Sequence, residues 1–291
     1  MRSVTAVASL WCGLCLAGVP GAAQTRTLDV GDARINYTVV GRGPAVVLIH
    51  GWALSLREWD DQIAALAPRF RVVAYDRRGY GKSTGFADPS ADPGDLRALL
   101  DTLGIRSAAL VGHSAGADIA CRFAAVMPER VDGLVLYGGG APEGFPIAAK
   151  EPGFEFVRTF AREHGIDSLM QWVLTLPQFQ PGPNRTAAVA ARLDSILAGY
   201  SGRDLLEEHS PSGAFPPARF ETVKDWRVPT LLISGAAEAP RWHLVSDSLA
   251  RWMPNARKVV IPGGGHGVHF DEPARFDAAL LTFLREIARS R

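Results

Sequence analysis

Gly112-His113-Ser114-Ala115-Gly116 sets a serine between two glycines, after the apolar run SAALV and before the helix-like ADIACRFAAV. The spacing Gly-x-Ser-x-Gly suits a sharp passage from strand to helix, in which the serine takes a strained conformation and needs small neighbours on both sides. Such a turn puts Ser114 Oγ at the carboxyl edge of a sheet and aims a helix N-terminus, with its partial positive charge, at the same spot. A serine is a poor nucleophile until a base takes its proton, so the motif carries chemistry only with a histidine and a group to orient it. Both follow in the order nucleophile, acid, histidine: Glu238 stands in the loop after TLLISG, and His266 stands on the glycine-rich loop of RKVVIPGGGHGVHFDEPARF. A glutamate can orient an imidazole and stabilise its cation as an aspartate does, with a longer reach. Negative charge developing on a carbonyl oxygen needs amide donors. Ala115, after the serine, offers one N–H, and Trp52, after VVLIHG, offers the second.

These residues need a scaffold, and the chain supplies the pattern of one. Short β-branched runs recur as RTLDV, ARINYTVV, AVVLIH, RVVAYD, AALVGH, GLVLYG, TLLISG and RKVVIPG. The first two flank Gly31-Asp32, a two-residue hairpin signal, and Ile35, Tyr37 and Val39 alternate as on a half-exposed strand. The later runs are apolar throughout, as strands covered on both faces should be, and helical patterns separate them, among them REWDDQIAALAP, GDLRALLDTLG, GADIACRFAAVMP and WHLVSDSLARWMP. Alternation of this kind predicts an α/β fold with a mostly parallel sheet. The rhythm breaks from Gly140 to Val228, so the expected organisation is a core of residues 24–139 and 229–291 with a helical cap, 140–228, inserted after the sixth strand. The cap carries helical patterns at GFEFVRTFAREHG, DSLMQWVLTL and TAAVAARLDSILAGY. Most of its aromatics, Phe154, Phe156, Phe160, Trp172 and Phe179 among them, are expected to hold the cap together, because an amphipathic helix buries one face wherever it packs.

The motifs HGW, DRRGYGKS, GHSAG, LLISGAAE and GGGHGVHFDEP, in this order, make the chain resemble the α/β-hydrolase-fold serine hydrolases of the capped esterase and lactonase type. DRRGYGKS is similar in particular to a segment of cofactor-free haloperoxidase and perhydrolase relatives. The resemblance implies an eight-stranded sheet and cleavage of an ester or lactone through an acyl-enzyme on Ser114, with His266 as base and Glu238 as its partner. It implies no cofactor and no metal. The sequence departs from the family at Glu238, where aspartate is usual. Glu143, after the sixth strand, is a second candidate for the acid and Asp247 a third. Perhydrolysis or cleavage of a carbon–carbon bond beside a ketone is the alternative on the same fold. A ligand-binding member without turnover is a rival of another class.

The remaining features narrow the function. A net charge of +1, with charges spread along the chain of 291 residues, offers no basic patch for nucleic acid. The partner expected is a small, apolar, ester-type substrate. Residues 1–23, with Arg2, an apolar stretch to Val19 and small residues at Gly21, Ala22 and Ala23, read as a cleaved signal peptide of a secreted or periplasmic protein, with no membrane span in the mature form. Two of the three cysteines, Cys12 and Cys15, go with it, leaving Cys121, which is expected to be a buried thiol. Asp76 stands where a phosphate-binding loop ending in GYGKS needs its first glycine, and GYGKSTG misses the last glycine of the dinucleotide fingerprint by one residue, so Asp76, Arg77, Arg78 and Ser83 are expected to build a structural turn. His50 and His113 are expected to brace loops. His266, His269, Asp271 and Glu272 allow a metal-cluster reading, which the glycines around His266 disfavour. Asn184-Arg185-Thr186 fits a glycosylation sequon.

Overall fold

The structure, a computed structural model, describes residues 25–145 and 154–290; the expected leader and residues 146–153 of the expected cap lie outside them. Branched and aromatic side chains suit a pleated surface, and all eight predicted runs are strands: β1 (Thr25–Val30), β2 (Ala33–Val40), β3 (Ala45–Ile49), β4 (Arg71–Tyr75), β5 (Ala108–His113), β6 (Val131–Tyr137), β7 (Thr230–Gly235) and β8 (Ala256–Ile261). They form a single sheet in the order β1-β2-β4-β3-β5-β6-β7-β8. The hairpin of β1 and β2 turns at Gly31–Asp32 and lies antiparallel on β4. From β4 to β8 the pairing is parallel. The expected mostly parallel, eight-stranded sheet is therefore the one observed.

The helices are α1 (Asp60–Leu66), α2 (Asp92–Thr102), α3 (Ala115–Val126), α4 (Phe154–His164), α5 (Ile166–Thr175), α6 (Ala187–Leu197), α7 (Arg203–Leu206), α8 (Pro240–Trp252), α9 (Val268–Asp271) and α10 (Pro273–Arg289). Side chains alternate across a strand, and β3 shows the consequence. Val47 and Ile49 pack with Leu96 and Leu99 of α2, Phe123 of α3 and Leu249 of α8. Val46 and Leu48 pack with Leu66 of α1 and Phe276 and Leu280 of α10. Both faces are covered, which is why the central strands read as unbroken apolar runs.

Two strands depart from expectation. β2 is not half exposed, because it lies between β1 and β4 and buries Asn36 and Thr38 together with Ile35 and Tyr37. Asn36 is accommodated by donating from Nδ2 to Asp76 Oδ2 at 2.8 Å. β8, expected to be covered on both faces, stands at the sheet edge, with Val260 47% exposed.

The turn predicted at Asp76–Ser83 is built by the residues named for it. Asp76 also accepts from the backbone N–H of Leu56 and Lys82, and Ser83 Oγ donates to the Asp76 carbonyl. Arg77 and Arg78 pair with Asp92 and Asp95 on α2, pinning that helix to the carboxyl edge of β4.

Between β6 and β7 the chain forms α4 to α7, and the three helical patterns expected there are α4, α5 and α6. These helices have an apolar cluster of their own, built on Ala161, Leu169, Met170 and Leu205, into which Ala53 of the β3 loop inserts. Phe156, Phe160 and Trp172 pack on one another. Among the described residues, no helix is long and apolar enough to cross a membrane.

Candidate active site

Ser114 lies between the end of β5 and the start of α3, with φ 52° and ψ −120°. Left-handed φ is unfavourable for a side-chain-bearing residue and costs on the order of 1–3 kcal/mol. Among described non-glycine residues only Ala53 shares it. The turn is tight enough that its glycines are obligatory. A Cβ built on Gly116 would sit 2.1 Å from the Ile49 carbonyl oxygen, and one on Gly112 would sit 2.5 Å from that of Gly116. The Ser114 N–H donates to the carbonyl of Tyr137 on β6, fixing the serine at the carboxyl edge of the sheet.

His266 and Glu238 come to the same edge from the loops after β8 and β7. His266 Nδ1 stands 3.2 Å from each carboxylate oxygen of Glu238, and both side chains are buried. Glu238 Oε1 also accepts from the Ala239 N–H at 2.9 Å. Burial by itself would raise this carboxyl group, but the hydrogen bond and charge of His266 outweigh it and hold Glu238 below its ordinary range. The other candidate acids lie elsewhere. Glu143 is exposed and its backbone bridges to Arg219, and Asp247 pairs with Lys258 at the surface. The histidine loop is held by Asp271, which accepts from the Gly265 N–H at 2.9 Å and from Arg185 Nε at 2.8 Å. Asp271 and Glu272 therefore serve as anchors, the latter accepting from Nδ2 of Asn184, the sequon asparagine.

Ala115 is the first residue of α3, where an N–H has no carbonyl within the helix to donate to. Trp52 follows Gly51 at the end of β3, and its indole Nε1–H donates to Asp204 of α7 at 2.8 Å. Asp204 also accepts from Tyr80 and Tyr200 hydroxyls, at 3.1 and 2.6 Å. This carboxylate ties the β3 loop to the helices between β6 and β7. His50 braces the neighbouring loop: its Nε2 accepts from the Arg77 N–H, so its Nδ1–H donates to the Gly51 carbonyl.

Ser114, Trp52 and His266 line one cavity of about 90 Å³ whose other walls include Met170, Val173 and Leu193. Phe179, edge-on to the His266 ring at 5.0 Å, also lines it. Ser114 and Trp52 also border a larger cavity of about 450 Å³, where Ala115 lies with Asp118 and Arg203. Such an arrangement can supply a hydroxyl nucleophile, an oriented imidazole and amide donors around one carbonyl group.

Sequence reading missed Asp204 and Glu58. Glu58 is fully buried, in the 3₁₀ turn Leu56–Trp59, beside His113 and His269. Nothing in the mixed stretch LREW, which also carries Arg57, marks it as buried. Asp204 had no signal either, because the residues it joins are far apart in the chain. Cys121 is buried as expected, and burial pushes its thiol up.

A doubly covered parallel sheet, a strained serine at the head of a helix and a histidine–glutamate pair at the same edge define a hydrolase of the α/β type. Residues 44–273 match the alpha/beta hydrolase fold family, and the chain belongs to it. The chain is 31% identical over 264 residues to RutD of Caulobacter sp. (strain K31), provisionally named a carbamate hydrolase, an alignment covering 85% of this chain and 95% of that one. It is 30% identical over 273 residues to a 2-hydroxy-6-oxononadienedioate/2-hydroxy-6-oxononatrienedioate hydrolase of Burkholderia vietnamiensis, covering 88% and 93%. Among solved structures it is similar to a bromoperoxidase from Bacillus anthracis, with a TM-score of 0.75, 29% identity and coverage of 90% and 100%.

Proposed function

We propose that this hydrolase cleaves a carboxylic ester or lactone through an acyl-enzyme on Ser114. The observation that carries the reading is the strained Ser114 sharing a cavity with His266, whose Nδ1 contacts Glu238. In this reading the Ser114 oxygen attacks the carbonyl carbon and its proton passes to His266. The carbonyl electron pair moves onto oxygen, where the Trp52 and Ala115 N–H groups receive it. The carbon–oxygen bond to the alcohol then breaks as His266 returns the proton to the leaving oxygen. Water repeats the sequence on the acyl-enzyme, with His266 as base, and releases the acid. Residues 140–228 act as a cap over the site, and the apolar walls from α5 and α6 favour an apolar substrate of moderate size. The chemistry so described needs neither metal nor cofactor.

We also read residues 1–23 as an export signal, which would make the mature enzyme secreted or periplasmic.

A fluorophosphonate probe, with the labelled peptide mapped by mass spectrometry, tests the reading. Labelling at Ser114, absent in Ser114→Ala, is expected; a folded protein that stays unlabelled would refute it and favour a binding role. Hydrolysis of esters and lactones is then measured against a carbamate and a vinylogous diketone, and peroxide against water as acyl acceptor. Turnover confined to either of the first two rivals, or to peroxide, would replace the ester assignment.

A further inference from the structure

Behind the candidate site lies a buried cluster for which the mechanism above has no use. Glu58, His113 and His269 are respectively 0%, 4% and 1% exposed. Glu58 Oε2 accepts from the N–H of Gly51, the residue before Trp52, at 3.0 Å. Its Oε1 lies 2.6 Å from Nδ1 of His113, the residue before Ser114. His113 Nε2 lies 3.1 Å from the carbonyl oxygen of His266. A carbonyl only accepts, so Nε2 carries a proton, and a second proton must lie between Nδ1 and Glu58. His269 Nε2 stands 3.2 Å from Glu58 Oε1, and the Tyr137 hydroxyl lies 3.1 Å from His269 Nδ1.

The three side chains offer atoms within 4.8 Å of one another, which invites a metal reading. Ligands about 2.1 Å from a tetrahedral zinc ion would stand roughly 3.4 Å apart. The 2.6 Å approach of Glu58 to His113 is that of two atoms sharing a proton.

We infer that Glu58 is a positioning residue for the reaction, one carboxylate that holds the Trp52 loop through Gly51 and the Ser114 elbow and His266 loop through His113. The inference rests on the Ser114–His266 reading. Burial alone would raise the Glu58 carboxyl, but His113 and His269 beside it hold it far below the ordinary carboxylate range, as an acceptor of this kind requires. A glutamine in its place has one acceptor oxygen, and its amide would set a donor against either the Gly51 N–H or the His113 proton.

The test compares wild type with Glu58→Gln, using fluorophosphonate labelling rate at Ser114, kcat and KM for a hydrolysed ester, and thermal unfolding. In a folded Glu58→Gln protein, kcat and labelling rate should fall together by about 10–100-fold, the order found when hydrogen-bond partners of metal ligands are removed, with KM little changed. Unchanged kcat and labelling in Glu58→Gln, with wild-type Ser114 labelled, overturn this inference alone. An unlabelled wild type overturns the reading it rests on as well. If Glu58→Gln does not fold, the proton spectrum of the wild type decides. The shared proton should give a far-downfield resonance that survives Glu238→Gln and shifts when Ser114 is phosphonylated; a resonance indifferent to phosphonylation overturns the inference.

Discussion

Glu238 carries one methylene more than the aspartate usual in the family, and its contacts to His266 reflect the difference. Its two contacts to His266, each 3.2 Å, are longer than the 2.7–2.9 Å usual for charge-assisted pairs, because the longer side chain straddles the ring nitrogen while also bonding the Ala239 N–H. Removing its charge should leave the imidazole misoriented, and Glu238→Gln is expected to lower kcat by about 10⁴-fold with KM nearly unchanged. Stability should respond to pH with a definite sign. The folded carboxyl is held below its ordinary value of 4.5, so its contribution is present above that pH and is lost as pH falls through the lower folded value. Urea unfolding of wild type and Glu238→Gln should therefore differ most near neutrality and converge in acid. A gap that widened in acid would contradict the pairing.

At the scale of elements, the site depends on contacts between pieces that do not neighbour one another in the chain. α7 is four residues long, too short to be stable by itself, yet its Asp204 gathers the Trp52 indole and the Tyr80 and Tyr200 hydroxyls. Deleting that carboxylate takes the shared acceptor away from the half-buried Trp52 and Tyr200 and the buried Tyr80. Asp204→Ala should destabilise the protein by about 1–3 kcal/mol, measured as a shift in urea midpoint at constant slope. A midpoint unchanged by the substitution would mean that water replaces Asp204 at no cost. Local strand and helix patterns were legible from residue types, down to the Gly31–Asp32 turn. The exposure of β2 and β8 was not, because a strand's neighbours set it. Asn36 looks like a solvent-facing residue until Asp76, forty positions on, is seen beside it.

For the whole molecule, two apolar layers on a single sheet supply the cohesion, and no cross-link is needed in the described residues, where Cys121 is the free cysteine. Exported protein cleaved after Ala23 should begin at Gln24 and titrate a single thiol, reactive only after unfolding. N-terminal sequencing and a thiol reagent check both, and retention of Cys12 and Cys15 would remove the export reading. The order of Ser114, Glu238 and His266 in the chain, and the glycines that let a strand run straight into a helix, were set by local chemistry and could be read from residue types and spacing alone. Such features are short-range: a turn needs small residues, a covered strand needs apolar ones. Tertiary structure alone decided that Asp204 clasps Trp52 and that Glu58 stands behind Ser114. Each of these joins residues distant in sequence, and only the folding of the sheet and its loops brings their charges within reach of one another.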